Sequence, residues 1–193
     1  MITDKTTYKY YLQRDLAAYG LQKLSLYDYF RIDSLRFLRR LRRIEYIYNC
    51  KRNNPFATFY LFGLEFINHR AGVRLGYTIP KNVFGAGLCL VHHGTIVVSP
   101  KARVGENCRL HPSTSIGDYN GAPIIGNNVY IAPGAKIFGH ICIGNNVAIG
   151  ANAVVNKSFG DNVTLGGIPA AVIADRSSFD IDVFPETILN SVK

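Results

Sequence analysis

The feature that most limits what this chain can fold into is a six-residue period. Read in sixes from Ile125, the sequence runs IGNNVY, IAPGAK, IFGHIC, IGNNVA, IGANAV, VNKSFG. An aliphatic residue opens every block: Ile125, Ile131, Ile137, Ile143, Ile149 and Val155. Four places later stands a second apolar or small residue: Val129, Ala135, Ile141, Val147, Ala153 and Phe159. A short internal period marks stacked repeat units. A unit this short cannot bury its own apolar side, so the core must arise between neighbours. Each block reads as one strand and one turn of a parallel β-helix. The glycines and asparagines after the opening residue (Gly126, Asn127, Asn128, Gly144, Asn145, Asn146, Gly150) suit corners that need left-handed backbone.

The register continues backwards through Ile116, Leu110, Val104 and Val98, with Thr114, Cys108 and Ala102 at the companion places. Nine residues separate Ile116 from Ile125, so three extra residues loop out within Asp118–Pro123. Further upstream the opening places fall on Arg74, Pro80, Ala86 and His92, while the companion places, Thr78, Phe84, Leu90 and Ile96, stay small or apolar.

The runs GLCLVHHGTIVVSPKARVGENCRLHPSTSIG, DYNGAP and IIGNNVYIAPGAKIFGHICIGNNVAIGANAVV resemble the hexapeptide-repeat acyltransferases. The nearest branch is the serine acetyltransferase type, with its relatives that acetylate cell-surface saccharides. The resemblance covers about Ile79–Ala174. It implies a mainly β fold: a left-handed parallel β-helix, three hexads per coil, between four and five coils here. It also implies a homotrimer with each active site between two subunits.

Transfer of an acyl group from a thioester to an alcohol needs a base for the hydroxyl proton. It also needs donors for the oxyanion, and histidine is the natural base near neutrality. GLCLVHHGTIVV matches the family's glycine-x-x-leucine-x-histidine run, and His92 falls on its catalytic histidine. His92 also occupies a place that the repeat reserves for aliphatic residues. His93 is the rival: it stands three hexads before His111, so one coil would stack the two about 4.8 Å apart. That pair would line a pocket, or His111 would orient the base. The family's aspartate partner of the base aligns with Tyr77–Pro80, which holds no carboxylate, and its second histidine aligns with Ala122. Asp118, in the extruded loop, is therefore the candidate to orient the imidazole, a local Asx turn being its other reading. His140 reads as a turn or groove-wall residue and His69 as structural.

By resemblance the acyl donor is acetyl-CoA, along a groove matched by Ala132, Pro133, Gly150 and Ala151, with Lys157 and Arg176 toward its phosphates. Gly166–Ala174 resembles the family's closing segment. No metal is expected, since zinc catalysis on such a scaffold needs three converging histidines. The two departures at Tyr77 and Ala122 point to a surface-polysaccharide or lipid-linked sugar hydroxyl as acceptor. Serine O-acetylation is the alternative, and a non-catalytic repeat scaffold the second.

Residues 1–73 read as a helical segment, 74–175 as the β-helix and 176–193 as a tail packing along a neighbour or cap. The net charge of +9 is lopsided: residues 1–75 hold 14 Lys/Arg against 6 Asp/Glu. Arg36, Arg39, Arg40, Arg42 and Arg43 lie on the third of four expected helices, and the fourth is rich in aromatics, Phe56, Phe59, Tyr60, Phe62 and Phe66. This reads as a solvated basic face or as peripheral contact with an anionic membrane. No nucleic-acid motif accompanies the charge. Four cysteines without paired spacing, and no apolar leader, fit a reducing cytoplasm, at the inner face of the membrane if the basic helices touch lipid.

Overall fold

Four helices precede the coils in the computed structural model, which describes residues 1–192. They are α1 (Lys5–Ala18), α2 (Leu26–Arg31), α3 (Asp33–Cys50) and α4 (Pro55–Leu75). Their ends follow local chemistry. Asp4 accepts the amides of Thr6 and Thr7, Ser25 that of Asp28, and Asn54 those of Phe56 and Ala57, ahead of Pro55 at the first helical place. Gly76 stops α4 in the left-handed conformation (φ 82°). At α3 the cap position is Ile32, which makes no side-chain bond.

The chain then winds into a three-faced parallel solenoid. The first face stacks Tyr77–Thr78, Ile96–Val98, Thr114–Gly117, Lys136–Phe138 and Val154–Val155. The second stacks Arg103–Val104, Ile124–Ile125 and Cys142–Ile143, extended by single bridges to Phe84 and Phe159. The third stacks Cys89–Leu90, Arg109–Leu110, Tyr130–Ile131, Ala148–Ile149 and Thr164–Gly166, closed by an antiparallel strand, Ala171–Ala174. Leu90, Leu110, Ile131, Ile149 and Leu165 form one fully buried column up the axis.

From Val98 onward the inward places are those the hexad register names, and the three extra residues loop out where expected. Ile116 pairs with Ile137 across that loop. Upstream the register differs. Leu90 stacks on Leu110 and Tyr77 on Ile96, so the inward residues are Tyr77, Ile79, Phe84 and Leu90 rather than Arg74, Pro80, Ala86 and His92. Leu90 and Val98 lie eight residues apart instead of six, and the two additional residues enlarge the corner that holds His92 and His93.

At the corner between the second and third faces, Asn107, Asn128, Asn146 and Asn162 all take left-handed backbone, with φ of 57°, 57°, 56° and 58°. Their side-chain amides form a ladder: Asn107 donates to Asn128 at 2.7 Å, Asn128 to Asn146 at 2.9 Å, Asn146 to Asn162 at 2.8 Å. The preceding glycines serve another purpose: a Cβ on Gly126 would lie 2.6 Å from the Gly144 carbonyl oxygen of the next coil.

The helices pack onto the first coils. Phe37, Leu38 and Leu41 of α3 join the same core as Tyr77, Leu88 and Leu90. Arg42, expected on a basic outer face, is instead fully buried. It donates to Asp15 of α1 at 2.8 and 3.2 Å, to Glu45 at 3.0 Å, and to the carbonyls of Phe84 and Gly85 at 3.0 and 2.6 Å. Burial works against the guanidinium charge, yet the two carboxylates outweigh it and its pKa lies above the ordinary value. Asp15 in turn accepts the amides of Gly87 and Leu88. The aromatics Phe56, Phe59, Phe62 and Phe66 of α4 point outward and are largely exposed. The tail returns to the helices: Phe184 and Ile188, the latter on α5 (Glu186–Val192), pack with Ala18 and Cys89.

Candidate active site

The corner between the third and first faces is a column of turns: His92–Gly94, His111–Ser113, Ala132–Gly134 and Gly150–Asn152. His92 and His111 are brought together there. Their rings meet edge to face with centroids 6.2 Å apart, and His111 in turn meets the Tyr130 ring at 5.2 Å. His92 is exposed at the rim, while His111 is half-buried beneath it. Burial first, then the Arg109 and His92 charges, push the His111 pKa down to about 4. His111 is therefore a neutral ring at physiological pH.

Tyr77, standing where the resemblance places an aspartate, is buried on the first face. Its hydroxyl donates to the His92 carbonyl oxygen at 3.0 Å and lies 2.8 Å from the Ser34 hydroxyl. It fixes the backbone of the corner, not the imidazole. Sequence reasoning passed over Tyr77 as a missing carboxylate and missed Tyr130. Adding the three-residue insertion to the coil length would have found Tyr130, which stacks directly on Arg109.

The enlarged corner separates His93 from His111, against the expected stacking. His93 faces α3, its Nε2 4.0 Å from Asp33 Oδ2. Asp118 is at the next corner, between the first and second faces, where Lys101 binds it at 2.9 Å and holds its carboxyl below the usual range. Within one chain Asp118 does not orient His92. His140 shares that second corner, packed under Gly121 of the extruded loop.

Of the positions matched to the acyl carrier, Ala132, Pro133, Gly150 and Ala151 share the His92 edge, two and three coils below it. Lys157 does not: it follows the first-face strand Val154–Val155 at the corner with the second face, over the Phe159 ring. Arg176 lies beyond the closing strand, its carbonyl bonded by Thr164, at the far side of the third face. Among the described residues no group of three or more His, Cys, Asp or Glu is placed to hold a metal ion.

The depressed His111 pKa makes stability depend on pH. The unfolded chain binds this proton at the ordinary 6.5 and the folded chain only near 4, so protonation favours unfolding between these values. Stability should be highest above pH 6.5 and fall as pH drops toward 4. His111→Gln should flatten that part of the profile in urea titrations at pH 7.5 and 5.

Residues 122–157 match the family model described as bacterial transferase hexapeptide (six repeats). With the stacked parallel coils, this match supports the left-handed β-helix fold of the hexapeptide-repeat acyltransferases. The chain's relatives are more particular: they are serine acetyltransferases. The one from Synechococcus elongatus is 33% identical over 122 residues, covering 60% of this chain and 50% of its own length. A solved serine O-acetyltransferase from Brucella melitensis is 27% identical with TM-score 0.69, covering 89% of this chain and 71% of that one. A serine acetyltransferase solved in complex with CoA shares the fold at 22% identity and TM-score 0.68, covering 88% and 71%. The chain spans about half the length of the curated Synechococcus relative. These relatives overturn the expectation of a saccharide acceptor. That expectation leaned on two absent side chains, at Tyr77 and Ala122, and two positions weigh less than similarity along the whole repeat.

Proposed function

We propose that this protein is an acetyl-CoA-dependent O-acetyltransferase whose acceptor is the serine hydroxyl. The observation that carries the reading is an exposed imidazole, His92, heading an edge of the prism on which Ala132, Pro133, Gly150 and Ala151 also lie. The kinship with serine acetyltransferases, one of them solved with CoA, supplies the donor and the acceptor class.

In this reading His92 takes the proton of the serine hydroxyl as its oxygen attacks the thioester carbonyl. The C–O bond forms, the carbonyl oxygen carries the negative charge, and the C–S bond then breaks. The departing thiolate recovers the proton from the His92 imidazolium, leaving O-acetylserine and CoA. His111, held near 4, is a poor proton acceptor at neutral pH, which leaves the base role to His92. A neutral ring beneath His92 also spares it a neighbouring positive charge when it becomes cationic. The open edge completes itself against a neighbouring copy in a homotrimer.

Thiol release from acetyl-CoA measures the reaction directly. L-Serine should give turnover well above the water background. No serine-dependent release, with CoA still bound, would remove serine as the acceptor.

A further inference from the structure

On the N-terminal side of His92, away from Ala132 and Gly150, a pocket of about 590 Å³ opens between α3 and α4. Arg36 and Arg40 enter it from α3, Arg70 and Arg74 from α4, and His93 from the enlarged corner. We propose that this pocket binds a phosphate monoester dianion through Arg36, Arg40, Arg70 and Arg74.

Each pair is spaced i, i+4, so like charges share a helix face, an unfavourable arrangement unless an anion compensates it. The protein supplies little compensation. Among the described residues Asp33 is the one carboxylate lining the pocket, and it is already paired with Arg36 and 4.0 Å from His93. Arg40 donates to the Asn68 amide oxygen at 3.3 Å and makes no ion pair among the described residues. Burial, with the neighbouring Arg36, lowers the Arg40 pKa, so its charge is under-stabilised as it stands. Neither Arg70 nor Arg74 makes an ion pair among the described residues.

Charge decides the class of ligand. Four guanidinium groups against one carboxylate leave a surplus of three positive charges. A zwitterionic amino acid offsets none of it and a monocarboxylate offsets one. A phosphate monoester offsets two, with oxygens that match the guanidinium fork. Its ester group has room as well: the pocket is far larger than a phosphate, and Phe66 and Ile67 give it an apolar wall. The inference does not depend on the acetyltransferase reading, because the pocket lies beyond His92 from the edge assigned to the acyl carrier. The same chemistry could be presented by a soluble metabolite or by a lipid headgroup, since the exposed phenylalanines of α4 adjoin the pocket.

Calorimetric titration of the full chain with glycerol 2-phosphate, with acetate as the monoanion control, tests the soluble source. Sedimentation with phosphatidic acid vesicles, against phosphatidylglycerol vesicles of matched charge, tests the lipid source. The expected result is binding of at least one phosphate monoester, at least about tenfold tighter than its control. Arg70→Gln/Arg74→Gln, two exposed positions, should weaken it at least about tenfold with the circular dichroism and melting curve unchanged. Glycerol 2-phosphate binding assigns a soluble ligand; binding confined to phosphatidic acid assigns a headgroup. Failure of both probes, equal binding of the controls, or undiminished binding by the double variant would overturn the proposal.

Discussion

His92→Ala should lower serine-dependent CoA release by roughly 10² to 10⁴, the usual contribution of a positioned general base. The melting temperature should hardly move, because the imidazole is exposed and its ring packs only at the rim of His111. Two companion variants make the result specific. His93→Ala should leave turnover nearly intact, since His93 faces Asp33 on α3. His111→Ala should cost stability as well as rate, since its ring fills the space between His92 and Tyr130. An acidic limb in the rate above pH 5 belongs to another group than His111, which protonates only near 4. Should His92→Ala keep full activity while His111→Ala loses it, the base would be the lower ring and the mechanism would need recasting.

Arg42→Met should be the most destabilising single change among the charged residues. It removes five hydrogen bonds and leaves Asp15 (1% exposed) and Glu45 (2% exposed) as buried carboxylates without their cation. Breaking such a pair by deleting one partner costs about 3–5 kcal/mol. At about 2–4 °C per kcal/mol for a chain of this size, the melting temperature should drop by roughly 6–20 °C. The lower half of that range is favoured, because Asp15 keeps the amides of Gly87 and Leu88 and Glu45 keeps that of Asn82. Replacing Asp15 and Glu45 by leucine in the same chain should restore only part of the loss. It rids the core of carboxylates but strands those backbone amides. A change below about 1 kcal/mol for Arg42→Met would mean that water reaches this network in solution.

The coils from Val98 to Val155 were legible because every opening place of the hexad holds a buried aliphatic side chain, and a missing one would leave a void. Upstream the same logic slipped by two residues. Each hexad carries two apolar places two residues apart, Cys108 with Leu110 and Val129 with Ile131, so a shift of two still reads as a passable pattern. The enlarged His92 corner produced that shift without any local mark in the sequence. His92 thus rests on its motif, while the reason read from the repeat, a histidine at an aliphatic place, does not hold: Leu90 occupies that place. Asp118 failed for a related reason, since nearness along the chain to the His111 coil put it one corner too far. Arg42 was illegible because an arginine amid arginines on a helix gives no sign that one of them turns inward to meet Asp15, 27 residues earlier.

The asparagine ladder has a direction. Every rung passes its amide hydrogen toward the C-terminus, so the final Asn162 closes the series as an acceptor, and above the first rung, Asn107, the preceding coil has Gly87, which offers its side-chain oxygen no amide. Arg14 of α1 fills that vacancy at 2.6 Å. The helical segment thereby acts as the lid of a one-way polar column. A chain trimmed of α1 would leave that buried oxygen without its donor, at the first rung of the column.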